Sequence, residues 1–220
     1  FREGLCWPLI AKSIWLDMRI FPKGSMFDVA AMTLFPAKRT QALNILGLCN
    51  SSLAAYLYLA VDPLFHNRQI GYVCLIPVAE PILDDPEVAQ LTRDICIIKE
   101  KWAEGDETSH RFKKPWFLQF LPNLEMTNNI DTKVAQNRTT LIAKIAEICV
   151  NKEIELKKEL LRIRGIIDKR VYAIYGIDAN DQEMITKELE TIGPNTTQNC
   201  EKNIKLEVTA MEHIERLLSY

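Results

Sequence analysis

From Thr132 to Tyr175 the apolar residues return every three or four positions. Leu141, Ile145 and Ile148 begin the series, and Leu156, Leu160, Ile163, Ile167, Val171 and Ile174 continue it. Only a helix gathers such a series on one stripe. As a single rod this stretch reaches roughly 60 Å at about 1.5 Å per residue; the pattern also allows two pieces. Lys152, Glu153, Glu155, Lys157, Lys158 and Glu159 fill the remaining faces, as they do on a solvated surface. Gly176 fits a C-terminal cap, and Asp178 or Asp181 caps a shorter helix through Leu189. After Gly193-Pro194-Asn195, the residues Ile204, Val208, Met211, Ile214 and Leu217 mark a last helix. Residues 132–220 are therefore expected to be a mostly helical region.

The N-terminal part follows other rules. Pro8, Pro22-Lys23-Gly24 and Pro36 break residues 1–36 into short strands and turns, with a strand or hairpin over Ser25–Phe35. Ala42–Val61 is apolar on most sides and predicts one buried helix ended by Asp62-Pro63. Ile70–Val78 is rich in β-branched residues and predicts a central strand. Pro81–Pro86 reads as a linker. Val88, Leu91, Ile95, Ile98 and Trp102 then predict a helix over residues 87–104, stopped by Gly105. The expected fold class is α+β: a mixed α/β domain over residues 1–125, then the helical region.

Charge is unevenly placed. The 220 residues carry a net −2, but residues 1–78 hold seven Lys/Arg against four Asp/Glu. The N-terminal third is thus the better candidate for meeting phosphate. The six cysteines are scattered, with no C-x-x-C pair and three histidines in the chain, so neither a zinc site nor a disulfide framework is expected. Reduced thiols and the lack of a signal-peptide pattern suggest the cytoplasm. The Ala42–Val61 run has a membrane span's length but contains Asn44, Asn50, Ser51 and Ser52, so no membrane is expected as partner. Asp84, Asp85 and Asp94 supply carboxylates for Mg²⁺ but sit where helix-dipole roles are common. His66, His110 and His213 form no triad pattern.

Several short segments occur in a suggestive order: Phe1-Arg2-Glu3-Gly4 with Trp7; Pro22-Lys23-Gly24 with Phe27-Asp28; Leu46–Ser51; Asn67, Gln69 and Gly71 before Pro77; Trp102 and Glu107-Thr108-Ser109 with Phe112; and Asp168–Ile177. In order and spacing the chain resembles the C-terminal target-recognition region of the PglX-type adenine-specific DNA methyltransferases of bacteriophage-exclusion (BREX) systems. The related type IIG restriction–modification enzymes share the pattern. Arg68 stands where that family usually has an aromatic residue, and Tyr72 where it usually has Asp.

The resemblance implies a DNA-specificity module that binds duplex DNA and directs N6-adenine methylation in phage defence, in a bacterial or archaeal cytoplasm. The chemistry needs S-adenosylmethionine and an Asn/Asp-Pro-Pro-Tyr/Phe loop. Asp62-Pro63-Leu64-Phe65 lacks the second proline, and no glycine-rich cofactor loop occurs. The chain itself is therefore expected to hold no cofactor and no catalytic residue. Phe1 lies inside a motif and Glu215–Tyr220 stop within a helical pattern, so the chain reads as a fragment. S-adenosylmethionine and the methyltransferase domain are expected in the parent protein, upstream of residue 1, with other defence proteins as further partners.

Candidate DNA-binding residues are Lys12, Ser13, Arg19, Lys23, Lys38, Arg39, Asn67, Arg68 and Gln69, with Lys113 and Lys114 in a later loop. Arg68 and Gln69 are the side-chain types that read guanine and adenine edges; Asn67 and Gln69 also commonly satisfy turn backbone. An alternative reading is a protein-interaction scaffold of a defence complex, in which DNA is barely touched.

Overall fold

The computed structural model describes residues 2–10, 13–62, 67–106, 108–116, 118–119 and 138–192. They fall into two compact units. The first comprises Phe1–Asp94 and Arg162–Asn199; the second comprises Ile95–Leu161 and Cys200–Tyr220. The expected boundary near residue 125 lies outside the described residues.

The first unit combines a small sheet with helices, consistent with the α+β class. Strands β1 (Gly4–Pro8), β2 (Arg19–Phe21) and β3 (Ala31–Leu34) form an antiparallel sheet in the order β2-β1-β3. Gly4 pairs with Phe21 and Cys6 with Arg19; Leu5 pairs with Leu34 and Pro8 with Ala31. Alternation along β1 turns Leu5 and Trp7 into the core, both essentially fully buried. Gly4 faces the other way, beneath the Phe35 ring. A Cβ there would lie 2.7 Å from Phe35 Cδ1 and 2.6 Å from the Leu34 carbonyl oxygen.

Two expectations fail in this unit. Ala42–Val61 is two helices, α1 (Ala42–Cys49) and α2 (Ser52–Val61). With the 3₁₀ turn before α1 (Arg39–Gln41), the two rods meet at 74°. Polar residues at the joint cause the break. Ser51 Oγ accepts from Ala54 N–H at 3.2 Å as an N-cap and donates to the Leu48 carbonyl at 2.7 Å, which fits a serine to start a helix. Asn50 bonds both backbone groups of Met18, each at 2.9 Å. Among the described residues no single helix is long and apolar enough to cross a membrane.

The second failure is the strand at Ile70–Val78. Ile70–Val73 is one helical turn, α3, followed by further turns. The Gln69 carbonyl accepts from Tyr72 and Val73 N–H, and no described strand lies alongside. Burial of Val73 and Ile76, three apart, overrides β propensity. One more turn, α4 (Glu80–Leu83), leads to α5 (Pro86–Ala103), close to its expected span.

The long stripe forms one helix, α6 (Arg138–Tyr175), of 38 residues. Its length is about 57 Å at the rise of an α-helix. Gly176, at φ +67°, ends it in the left-handed conformation, and Ile177 N–H bonds the Tyr172 carbonyl at 2.9 Å, as helix ends commonly do. Asp178 then caps α7 (Ala179–Ile192) by accepting from Asp181 N–H at 2.9 Å. Ile185 and Leu189 of α7 are buried, and the helix packs on α2. The expected last helix lies outside the described residues.

Residues 162–175 of α6 join the first unit through polar ties. Asp168 accepts from Ser52 N–H and Oγ–H, both at 2.7 Å, at the start of α2. Arg164 donates to the Asn50 carbonyl and lies 3.9 Å from the Trp15 ring centroid. Arg170 bonds Asp85, which caps α5 through Val88 N–H at 2.9 Å. Tyr175 donates to the Pro77 carbonyl at 2.7 Å and accepts from Ala79 N–H at 3.0 Å.

The second unit has its own aromatic pair. Trp116 lies over Gly105, where a Cβ would overlap its ring. Its Nε1–H donates to the Trp102 carbonyl at 3.3 Å, and the two ring centroids are 5.6 Å apart. Gly105 therefore ends α5 by leaving room for an indole, at an ordinary φ.

Candidate nucleic-acid interface

The strand register sorts the candidate residues of the first unit to two ends of the sheet. β1 is five residues long. At the rise of an extended strand its ends stand about 13 Å apart. At the Gly4 end, Phe21 is level with Gly4, and Lys23 follows in a turn closed by Ser25 N–H on the Pro22 carbonyl at 3.3 Å. Gly24 sits at φ +91° in this turn, a conformation glycine adopts freely. Arg39 reaches back to Glu3 at 2.8 Å and remains 74% exposed, with Lys38 exposed beside it. Arg2 lies over the Phe35 ring at 4.9 Å.

An aromatic cluster underlies these cations. The Phe27 ring is 6.0 Å from Phe21 and 5.7 Å from Phe35. Arg2 stacks over one of the three rings, and Lys23, Lys38 and Arg39 lie at the same end of the sheet, with the carboxylates Glu3 and Asp28. Among the described residues, Lys23 and Lys38 have no ion-pair partner. Asp28 accepts from Ala30 N–H at 2.8 Å and serves its own turn. Arg19 lies on β2 next to Cys6; burial raises the Cys6 thiol pKa and the Arg19 charge partly offsets this.

The Pro8 end holds the Asn67–Gln69 segment. Ile10 bridges to Asn67, and Arg68 N–H donates to the Leu9 carbonyl at 2.7 Å. Asn67 and Gln69 are exposed, and among the described residues neither side chain makes a hydrogen bond.

Arg68 is a correction. It is 0% exposed, its guanidinium donating to the Ser13 carbonyl at 2.6 Å and the Leu16 carbonyl at 3.2 Å, with Asp17 at 3.5 Å. Its own carbonyl accepts from Trp7 Nε1–H at 2.8 Å. Burial lowers its pKa, opposed by Asp17. It fills the core and fastens the 13–17 loop; it is not presented to a groove. Ser13 lies half-buried in a turn: its Oγ accepts from Trp15 N–H at 3.0 Å and its carbonyl from Arg68 at 2.6 Å. Lys12 lies outside the described residues.

Lys113 and Lys114 belong to the second unit. Lys113 pairs with Glu104 at 2.6 Å and Arg111 with Glu100, while Lys114 is exposed. The carboxylates available for Mg²⁺ serve structure instead: Asp85 caps α5, Asp84 meets Gln41 at 3.4 Å and Asp94 meets Gln90 at 2.9 Å. Among the described residues no group of three or more His, Cys, Asp or Glu could hold a metal ion. His66 and His213 lie outside them; His110 is exposed.

Sequence reasoning missed Arg2 and the phenylalanine cluster. Phe21, Phe27 and Phe35 are six and eight residues apart, on segments separated by turns, so no single strand or helix pattern announced their meeting. No family model, no curated protein and no solved structure matches this chain.

Proposed function

We propose that this chain is the DNA-recognition part of an adenine-specific DNA methyltransferase of the phage-defence and restriction–modification type, acting in the cytoplasm. The observation that carries the reading is the set of exposed cations at the sheet end that holds the phenylalanine cluster, where Lys23 and Lys38 have no ion-pair partner among the described residues. Arg2, Arg19, Lys23, Lys38 and Arg39 hold phosphates, and Asn67 and Gln69, at the opposite end of the sheet, are the base-edge readers. S-adenosylmethionine and the transfer step belong to the methyltransferase domain of the parent chain.

Titrating the full chain with duplex DNA over a range of salt tests this. Log K should fall linearly with log salt, and Lys23→Ala with Lys38→Ala should reduce the slope by about 0.9 for each phosphate no longer neutralised. Binding without salt dependence, or none, counts against the reading.

The alternative, a protein-interaction scaffold, draws on Ile10, 76% exposed beside the Asn67 segment, and on exposed Ile70 and Leu75, since exposed apolar groups commonly mark protein-binding surfaces. Ile10→Asp would then abolish capture of a partner from the same defence system and leave DNA binding unchanged.

A further inference from the structure

The connection from β2 to β3 carries three apolar side chains that the fold leaves in water, Met26, Phe27 and Val29. Met26 is 82% exposed and Phe27 55% exposed, where side chains of these types are ordinarily buried. They are held on a firm base. Before them, the Pro22–Ser25 turn is closed by its own hydrogen bond, with Gly24 at φ +91°. After them, Asp28 Oδ1 accepts from Ala30 and Ala31 N–H at 2.8 and 3.3 Å. One edge of the Phe27 ring rests on Phe21 and Phe35. Lys23 lies three residues before Met26, and Arg2 covers the neighbouring Phe35 ring at 4.9 Å.

We propose that Met26 and Phe27 form an apolar wedge that enters a base step of duplex DNA while Arg2 and Lys23 hold the flanking phosphates. This rests on the DNA-recognition reading above. A fixed apolar tip beside cations complements a polymer that is anionic outside and apolar between its stacked bases. Side chains such as Met and Phe partially unstack a step when inserted, and the larger protein surface that the bent duplex wraps repays the unstacking. Pyrimidine–purine steps yield most easily.

The full chain is titrated with duplexes carrying 2-aminopurine at a pyrimidine–purine step, whose fluorescence rises on unstacking. Binding by the unaltered chain should raise the signal above that of the free duplex, as insertion partially unstacks the step. The Met26→Ala/Phe27→Ala variant should lose that rise while its salt slope stays unchanged. Met26→Ala alone leaves the phenylalanine cluster intact and should diminish the rise by itself. Lys23→Ala should do the reverse, lowering the salt slope by about 0.9 and keeping the rise at saturation.

A full rise in both tip variants overturns the wedge and leaves the DNA-recognition reading standing. Absence of salt-dependent DNA binding by the unaltered chain overturns both. Binding to phosphatidylserine vesicles in place of DNA assigns the cationic, apolar tip to a lipid surface and also overturns the wedge.

Discussion

Single residues here take roles that their chemical type conceals. Arg68 has the chemistry of a base reader and the position of a core residue. Arg68→Met would leave the Ser13 and Leu16 carbonyls without donors, and chemical denaturation should show a loss of about 3 kcal/mol. Any accompanying drop in DNA binding should follow unfolding rather than change the salt slope. Gly165 is the opposite case. It lies inside α6, exposed, with open space where a Cβ would stand. Gly165→Ala should therefore stabilise the protein by about 0.5–1 kcal/mol in the same measurement. The sequence did not display the first fact, because burial of an arginine depends on Ser13 and Leu16, more than fifty residues away.

At the scale of elements, periodicity was a good guide wherever one face of a long helix met a core. α5, α6 and α7 arise close to where their stripes and caps predict, because Ile163, Ile167 and Val171 must all reach one interior. It failed where short apolar runs meet polar anchors. Tyr175 captures the Pro77 carbonyl and the Ala79 N–H, turning an apparent strand into turns. Asp168 and Asp85 anchor helix starts with opposite pH dependences. Burial raises the Asp168 pKa, and the Ser52 bonds and Arg164 only partly oppose it. Burial acts on Asp85 too, but the Val88 N–H and Arg170 outweigh it and hold its pKa below the ordinary 3.8. The Asp85 contribution is therefore present above pH 3.8 and lost as pH falls through its depressed pKa. The Asp168 contribution is greatest in acid and lost as pH rises through its elevated pKa. From pH 3 to pH 7, denaturation should show the natural protein gaining stability relative to Asp85→Asn and losing it relative to Asp168→Asn.

For the molecule as a whole, each compact unit carries its own reporter. Burial pushes the Cys49 thiol up to about 12 and Cys149 up to about 11, and both lie within cores. The thiolate is the reactive species, so alkylation at either site requires opening of its own unit, whereas the exposed Cys74 reacts in the folded state. Peptide mass spectrometry after brief alkylation should find Cys74 modified before Cys49 and Cys149. In Arg68→Met the rate at Cys49 should rise more than the rate at Cys149, because Arg68 belongs to the Cys49 unit. The candidate interface was partly legible at this scale: the surplus of cations in residues 1–78 is visible in composition, and Lys23, Lys38 and Arg39 do gather at one sheet end. The meeting of three phenylalanines at that end was not, since the pairing of β2 and of β3 with β1 creates it.

The Asn50 amide takes both backbone groups of Met18, the residue just before edge strand β2. A passing chain that tried to lengthen the ladder there would find no vacant donor or acceptor, and the exposed Arg19 charge would meet it at the next position. A side chain at a helix joint thereby guards the sheet against sticking to its own kind. Removing it with Asn50→Ala should appear in light scattering as self-association that grows with protein concentration.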